Sequence, residues 1–279
     1  MQPSIPPFVI PIGPLTVTGF GIMMMVGFLV GGWLVDRELR RRELNVDYAA
    51  DMIVAAVVGG VIGAKLWYVG LYGFHTLFDR GGLVWYGGFL GGALAVIVSG
   101  WRRKVPTALT AQLVAPALAA AHALGRVGCF MVGDDYGIPT AGFWGVKFPQ
   151  GIPPTTVAGL SQFGVAVPEG LDPTTVLAVH PTQLYEVALL TIAFMVLWRL
   201  RTRDWGTGWL FGLYMIFAGA ERFLVEFVRA KDDRFFGPLT LAQVTSLAMV
   251  GVGLIVVQSL RHRPAAAPGE YLTRKPTPR

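Results

Sequence analysis

Seven times along its 279 residues the chain runs for about 20 positions with few or no charges, near 15–35, 49–72, 83–100, 107–125, 183–200, 206–226 and 239–260. A helix of that length spans a hydrocarbon core, and within that solvent every backbone N–H and C=O has to be satisfied inside the segment itself. The pattern predicts seven transmembrane helices in an all-α polytopic membrane protein. Composition agrees, since 53% hydrophobic and 14% charged residues with a mean hydropathy of +0.55 are too apolar for a soluble chain of this size.

Lys and Arg accumulate in short cytoplasmic loops, so their placement orients the bundle. "DRELRRRE" follows the first span, "WRRK" the third, "WRLRTR" the fifth and "RHR" the seventh, all on one side. On the other side, 73–82 carries only Arg80, and 125–180 carries only Arg126 and Lys147. Arg229, Lys231 and Arg234, after the sixth span, run against the pattern and are partly balanced by Asp232 and Asp233. The expectation is an external N-terminus and a cytoplasmic C-terminus. The net charge of +6 then records topology and contact with anionic lipid, with no case for nucleic acid. "MQPSIPPFVIPIG" has no basic region ahead of the first apolar run, so no cleaved signal peptide is expected.

Residues 1–263 read as one seven-helix transmembrane domain, with 138–180 inserted between the fourth and fifth spans as a small external cap or arm of short strands and turns. Residues 264–279, "PAAAPGEYLTRKPTPR", read as a disordered cytoplasmic tail. With Cys129 as the only cysteine and four scattered histidines, no metal site and no cofactor is expected. Glycine pairs at 31–32, 59–60, 87–88 and 91–92 suit close helix approach in lipid; at Gly87 and Gly88, room for a lipid headgroup is a second reading.

Ionisable side chains inside a membrane usually mark a partner or a wet cavity. In "ERFLVEFVR", Arg222, Glu226 and Arg229 fall on one helical stripe with Glu221 pointing elsewhere. This is either a structural ion pair of Arg222 with Glu226 or half of an anion site. In "HALGRVGCFMVGDDYG" the fourth helix runs out at Arg126, one turn after His122, and turns through Gly133, Asp134, Asp135 and Gly137. An arginine there either snorkels to headgroups or binds one. Two guanidinium groups at similar external depth match the oxygens of a single phosphate. "HPTQLYE" adds His180, Gln183, Tyr185 and Glu186 at the same level, and "GGLVWYGGFLGG" places Tyr86 just inside the third helix, where an aromatic belt is the plainer reading.

In this order, these segments resemble the prolipoprotein diacylglyceryl transferase family over most of the chain. The resemblance implies transfer of the sn-1,2-diacylglyceryl group of phosphatidylglycerol to the lipobox cysteine thiol of a preprolipoprotein, giving a thioether and glycerol phosphate. The implied partners are phosphatidylglycerol, the precursor's signal peptide and lipobox, and membrane lipids, with the active site toward the outer leaflet. It implies Arg126, Arg222, Glu226 and Tyr86 as catalytic positions, and Arg126, Arg222, Asp134, Gly137, Gly87, Gly88, His180, Gln183 and Lys65 as phosphatidylglycerol-binding ones. Departures are Tyr86 where the family has His, Cys129 where it has Asn, and Phe20 where it has Tyr. His122 is the substitute base, with a packed interior histidine as its plainer reading, and Cys129 is assigned to packing. The alternative function is a catalytically weak paralogue that binds phosphatidylglycerol or lipoprotein precursors.

Overall fold

A β-hairpin precedes the first helix where the apolar run alone predicts helix from residue 15. In the computed structural model, which describes residues 2–13, 15–78, 82–230, 234–236 and 239–273, Val9–Ile12 (β1) and Leu15–Thr18 (β2) pair antiparallel. Arg80, Lys231, Asp232, Asp233 and residues 274–279 lie outside the described residues. Thr18 ends the hairpin and starts α1 (Gly19–Arg41), its hydroxyl accepting from the Gly21 N–H at 3.2 Å. That helix continues through the basic segment because Glu38 sits inside it as an acceptor: Arg41 Nη2 reaches Glu38 Oε1 at 2.7 Å and Arg42 Nε reaches it at 2.6 Å.

The further long helices are α2 (Asp47–Tyr72), α3 (Trp85–Arg102), α4 (Thr107–Val132), α6 (Thr182–Leu200), α7 (Trp209–Glu226) and α8 (Leu241–Leu260), with α5 (Val157–Ser161) and α9 (Glu270–Thr273) as short turns. Five of them, α1, α2, α4, α6 and α8, are long and apolar enough to cross a membrane, and α4 is the most enclosed. It packs on α1, α6 and α7, whereas α2 pairs with α3, and α7 with α8. The α2–α3 pair is held backbone to backbone: a Cβ on Gly63 would stand 2.3 Å from the Gly87 carbonyl oxygen, and one on Gly87 only 2.4 Å from that of Gly63. Gly87 thus meets α2 closely on one side, and it also lines a groove of about 470 Å³ with Gly63, Trp67 and Leu90.

Alternating helix directions bring all four basic segments to one end. Glu38, 4% exposed, ties Arg41 and Arg42 of α1 to Arg201 beyond α6. Arg103 pairs with Asp51 at 2.7 Å, and the Tyr271 hydroxyl donates to the same carboxylate at 2.6 Å. Residues 264–273 thus depart from the expected disorder: the Leu272 side chain is fully buried among Leu39, Tyr48, Leu109 and Leu113, and its carbonyl accepts from Asn45 N–H at 2.8 Å. Two apolar side chains, Tyr271 and Leu272, overcome the polar, proline-rich composition around them.

At the opposite end, residues 138–180 form isolated bridges, such as the mutual Val146–Val179 pair, over a small core of Tyr136, Val146, Phe148, Leu160 and Val179. The hairpin joins this layer, Phe8 N–H donating to the Met131 carbonyl at 2.8 Å.

Candidate active site

The end of α4 builds the site. Arg126 lies within the helix, which continues to Val132 and stops at Gly133 in the left-handed conformation (φ 71°). The expected exit at Arg126 is thus displaced by about two turns, since Gly133 supplies the stop and the intervening residues are apolar. Asp135 follows at φ 54°, a conformation Asp tolerates better than most residues. The turn is then pinned by α6, whose Thr182 hydroxyl donates to the Asp135 carbonyl at 2.7 Å and whose buried Gln183 amide donates to that of Asp134.

Gly137 closes the turn by joining three segments. Its N–H donates to the His180 carbonyl at 2.8 Å, while Ile138 N–H reaches the Val228 carbonyl at 2.9 Å. A Cβ on Gly137 would stand 2.4 Å from the Val228 oxygen and 2.7 Å from His180 Cβ. The residue therefore fixes where α4, α6 and the end of α7 meet.

Three guanidinium groups bear on one carboxylate. Arg126 Nη1 donates to Asp135 Oδ2 at 2.8 Å, Arg229 Nη2 donates to Asp135 Oδ1, and Arg222 lies within electrostatic range of the same group. Burial opposes ionisation of Asp135, but the Arg229 and Arg126 charges outweigh it and hold its carboxyl below the usual carboxylate range. Asp134 behaves differently. Burial pushes its carboxyl up to about 6, and its Oδ1 is buried without a hydrogen bond. The acid that the arginines bond is thus Asp135, whose side chain the left-handed turn sends toward α4 and the end of α7, while Asp134, expected among the phosphatidylglycerol-binding positions, lies beside it.

Glu186 of α6, 1% exposed, faces Arg126 Nε at 3.2 Å. Glu221 of α7 is 4% exposed beside Glu186, within range of Arg126 and Arg222, so it points into the cluster against the expectation that it pointed elsewhere. Arg222 pairs with Glu226, which also accepts from the Thr240 hydroxyl at 2.8 Å. The expected stripe breaks after this pair: α7 ends at Glu226, and Arg229 reaches Asp135 from the bridge it forms with Gly137. Both carboxylate oxygens of Glu221, Glu186 Oε1, Gln183 Oε1 and Arg126 Nε are buried without hydrogen bonds within the protein. Such a concentration of unmatched polar atoms marks a site suited to a polar ligand.

His122 lies within range of both Arg126 and Arg222. Cys129 is buried with Arg126 Nη1 4.0 Å from its sulfur. One ligand atom each from Cys129, Asp134 and Asp135 lies within 4.8 Å of the others, but Arg126 and Arg229 already supply that set with positive charge. His180 Nδ1 and the Tyr185 hydroxyl are 3.1 Å apart beside the turn. The α2–α3 residues belong to another layer: Lys65 places its ammonium 5.4 Å from the centre of the Tyr68 ring, and Tyr86 is 61% exposed at the start of α3. Neither is a member of the arginine–carboxylate network just described. Sequence reasoning grouped Arg229 and Glu186 with the candidate cluster but gave neither a role, and it gave none to Asp135 or Glu221, although each was visible as a charge beside an apolar run.

Residues 7–258 match the model of a family described as prolipoprotein diacylglyceryl transferase. Among curated proteins the chain is similar to the phosphatidylglycerol–prolipoprotein diacylglyceryl transferase of Burkholderia thailandensis, 33% identical over 96% of this chain and 98% of that protein. It is similar to proteins of the same description from Stenotrophomonas maltophilia, 32% identical over 95% of both chains, and Clostridium tetani, 30% identical over 89% of this chain and 95% of that one.

Proposed function

We propose, from the premise that the chain belongs to the prolipoprotein diacylglyceryl transferase family, that its arginine cluster is the seat of the phosphatidylglycerol headgroup. The protein is a transferase that moves the sn-1,2-diacylglyceryl group of phosphatidylglycerol onto the lipobox cysteine of a prolipoprotein, forming a thioether and releasing glycerol phosphate. A weak, merely binding paralogue is not favoured beside relatives that match along nearly their whole length.

The observation that carries the site is the convergence of Arg126 and Arg229, from separate segments, on the single Asp135 carboxylate, with Arg222 within electrostatic range of it. A place that holds one carboxylate between two guanidiniums, with a third in range, suits a phosphodiester. In the reaction the substrate thiolate attacks the terminal glycerol carbon of the diacylglyceryl group. The C–O bond breaks, and its electron pair leaves with the phosphate. Arg126 and Arg222 stabilise the charge that grows on that leaving group. Glu226 orients Arg222, Glu186 orients Arg126, and Gly137, Gln183 and His180 hold the turn against which the headgroup lies. His122, beside both arginines, takes the thiol proton; Tyr86, Lys65 and Gly88 reach the headgroup from the α2–α3 side. The membrane placement completes this reading: seven spans in the bacterial inner membrane, an external N-terminus, a cytoplasmic basic end, and the 138–180 layer with the active site at the outer leaflet.

Rescue of a strain depleted of its own transferase, with lipobox modification read by mass spectrometry, tests the assignment. Arg222→Ala is expected to abolish transfer from phosphatidylglycerol while the protein level holds. Near-normal transfer would reject the clamp.

A further inference from the structure

Asp135 is the most exposed member of the ion-pair set it shares with Arg126 and Arg229. Its side chain is 39% exposed, against 14% for Arg126 and 13% for Arg229, so the carboxylate sits at the mouth with the guanidiniums behind it. It meets each of them through one nitrogen, Nη1 of Arg126 and Nη2 of Arg229. Its backbone, by contrast, is fixed: the carbonyl is held by Thr182, and the neighbouring residues are bound by Gln183 and by the Tyr136–Ala230 pairing. Only the side chain has to move for those nitrogens to be released. Arg126 would meanwhile stay anchored, because Glu186 faces its Nε from the buried side.

We infer that the Asp135 carboxylate is an internal stand-in for the headgroup phosphate, displaced when phosphatidylglycerol binds and returning to help expel glycerol phosphate. This rests on the headgroup reading above. Charge supports the exchange. The phosphodiester carries one negative charge, as does Asp135, so the incoming group replaces like with like. As the C–O bond breaks, the phosphate gains a second charge; with Asp135 swung away, the carboxylate that held the Arg126 and Arg229 nitrogens no longer competes for them. Return of the carboxylate afterwards competes with the product for the same donors. Asp135 is in this view a positioning residue: it sets how much of the protein is ready to accept an anion.

A competitor that occupies the site raises the apparent binding constant by the inverse of the competent fraction, so removing it should lower the constant. Asp135→Asn keeps the size of the side chain and removes its charge. In nanodiscs of defined phosphatidylglycerol content, with a lipobox peptide as acceptor, this variant is expected to lower KM for phosphatidylglycerol about three- to tenfold. It should strengthen inhibition by added glycerol phosphate by a similar factor, without a rise in kcat, and Asp135→Glu should keep both constants near the wild-type values. A KM that is unchanged or raised in Asp135→Asn would overturn the inference, as would unaltered product inhibition. Failure of the headgroup reading itself is distinguishable, since Arg222→Ala would then transfer from phosphatidylglycerol at a near-normal rate.

Discussion

Removing Arg126 should damage the protein in two ways that a second substitution can separate. Glu186 is 1% exposed and has Arg126 as its ion-pair partner at 3.2 Å, so Arg126→Ala strands a buried carboxylate. Breaking a buried pair from one side costs about 3–5 kcal/mol, because the remaining charge is left uncompensated. Asp135 loses less, since Arg229 still holds it. Replacing Glu186 by Gln as well removes the stranded charge. The double variant Arg126→Ala/Glu186→Gln is therefore expected to recover most of the thermal stability lost in Arg126→Ala, measured by unfolding in detergent or nanodiscs. Transfer should stay low in both variants, at least about 100-fold below wild type, because a group stabilising charge in the transition state is gone. Glu186→Gln alone is the fourth corner of the cycle and should be more stable than Arg126→Ala. Recovery of transfer together with stability in the double variant would refute the reasoning, because it would make Arg126 a structural counter-ion only. Wild-type stability in Arg126→Ala would refute the electrostatic half.

Gly137→Ala places a methyl group 2.4 Å from the Val228 oxygen, so it should destabilise the protein by about 1–3 kcal/mol through overpacking, seen as a lower melting temperature; an unchanged value would mean that the three-segment junction relaxes freely. Asp134, with its carboxyl pushed up to about 6, has a higher pKa folded than its ordinary value of about 3.9. Its ionisation opposes folding by nothing below about pH 4, increasingly as pH rises, and fully above about pH 6. Asp134→Asn should accordingly raise the melting temperature at pH 8 much more than at pH 4.5, and an equal shift at both would contradict that assignment.

Helix positions were legible because length and apolarity report directly on a membrane solvent, and α6 and α8 begin and end within two residues of the apolar runs. The hairpin at Val9–Thr18 was not, since an apolar hairpin and the start of an apolar helix look alike in composition. Arg126 and Arg222 stood out as charges within apolar runs. The sequence could not say which of Asp134 and Asp135 faces them, because that depends on a single left-handed residue following Gly133. Nor could it show that α7 unwinds after Glu226, which carries Arg229 off the helical stripe and into contact with Asp135. Glu221 was misdirected for a related reason: α7 packs on α4 and α6 as well as on α8, so more than one of its faces is an interior face. The tail was misjudged because two inserted side chains, Tyr271 and Leu272, decide its fate against the composition of all their neighbours.

The central claim is a physical contact between guanidinium carbons and the phosphorus of one lipid headgroup, and it is open to direct measurement by carbon–phosphorus dipolar dephasing in solid-state NMR. Protein with labelled arginine Cζ, held in phosphatidylglycerol bilayers without acceptor peptide, should show guanidinium carbons about 4 Å from phosphorus, those of Arg126 and Arg222 among them beside that of Arg229, the distance set by charge-assisted N–H···O contacts. One of those signals should vanish in Arg126→Lys and another in Arg222→Lys. Dephasing at only one of these two residues, or at neither, would contradict the account.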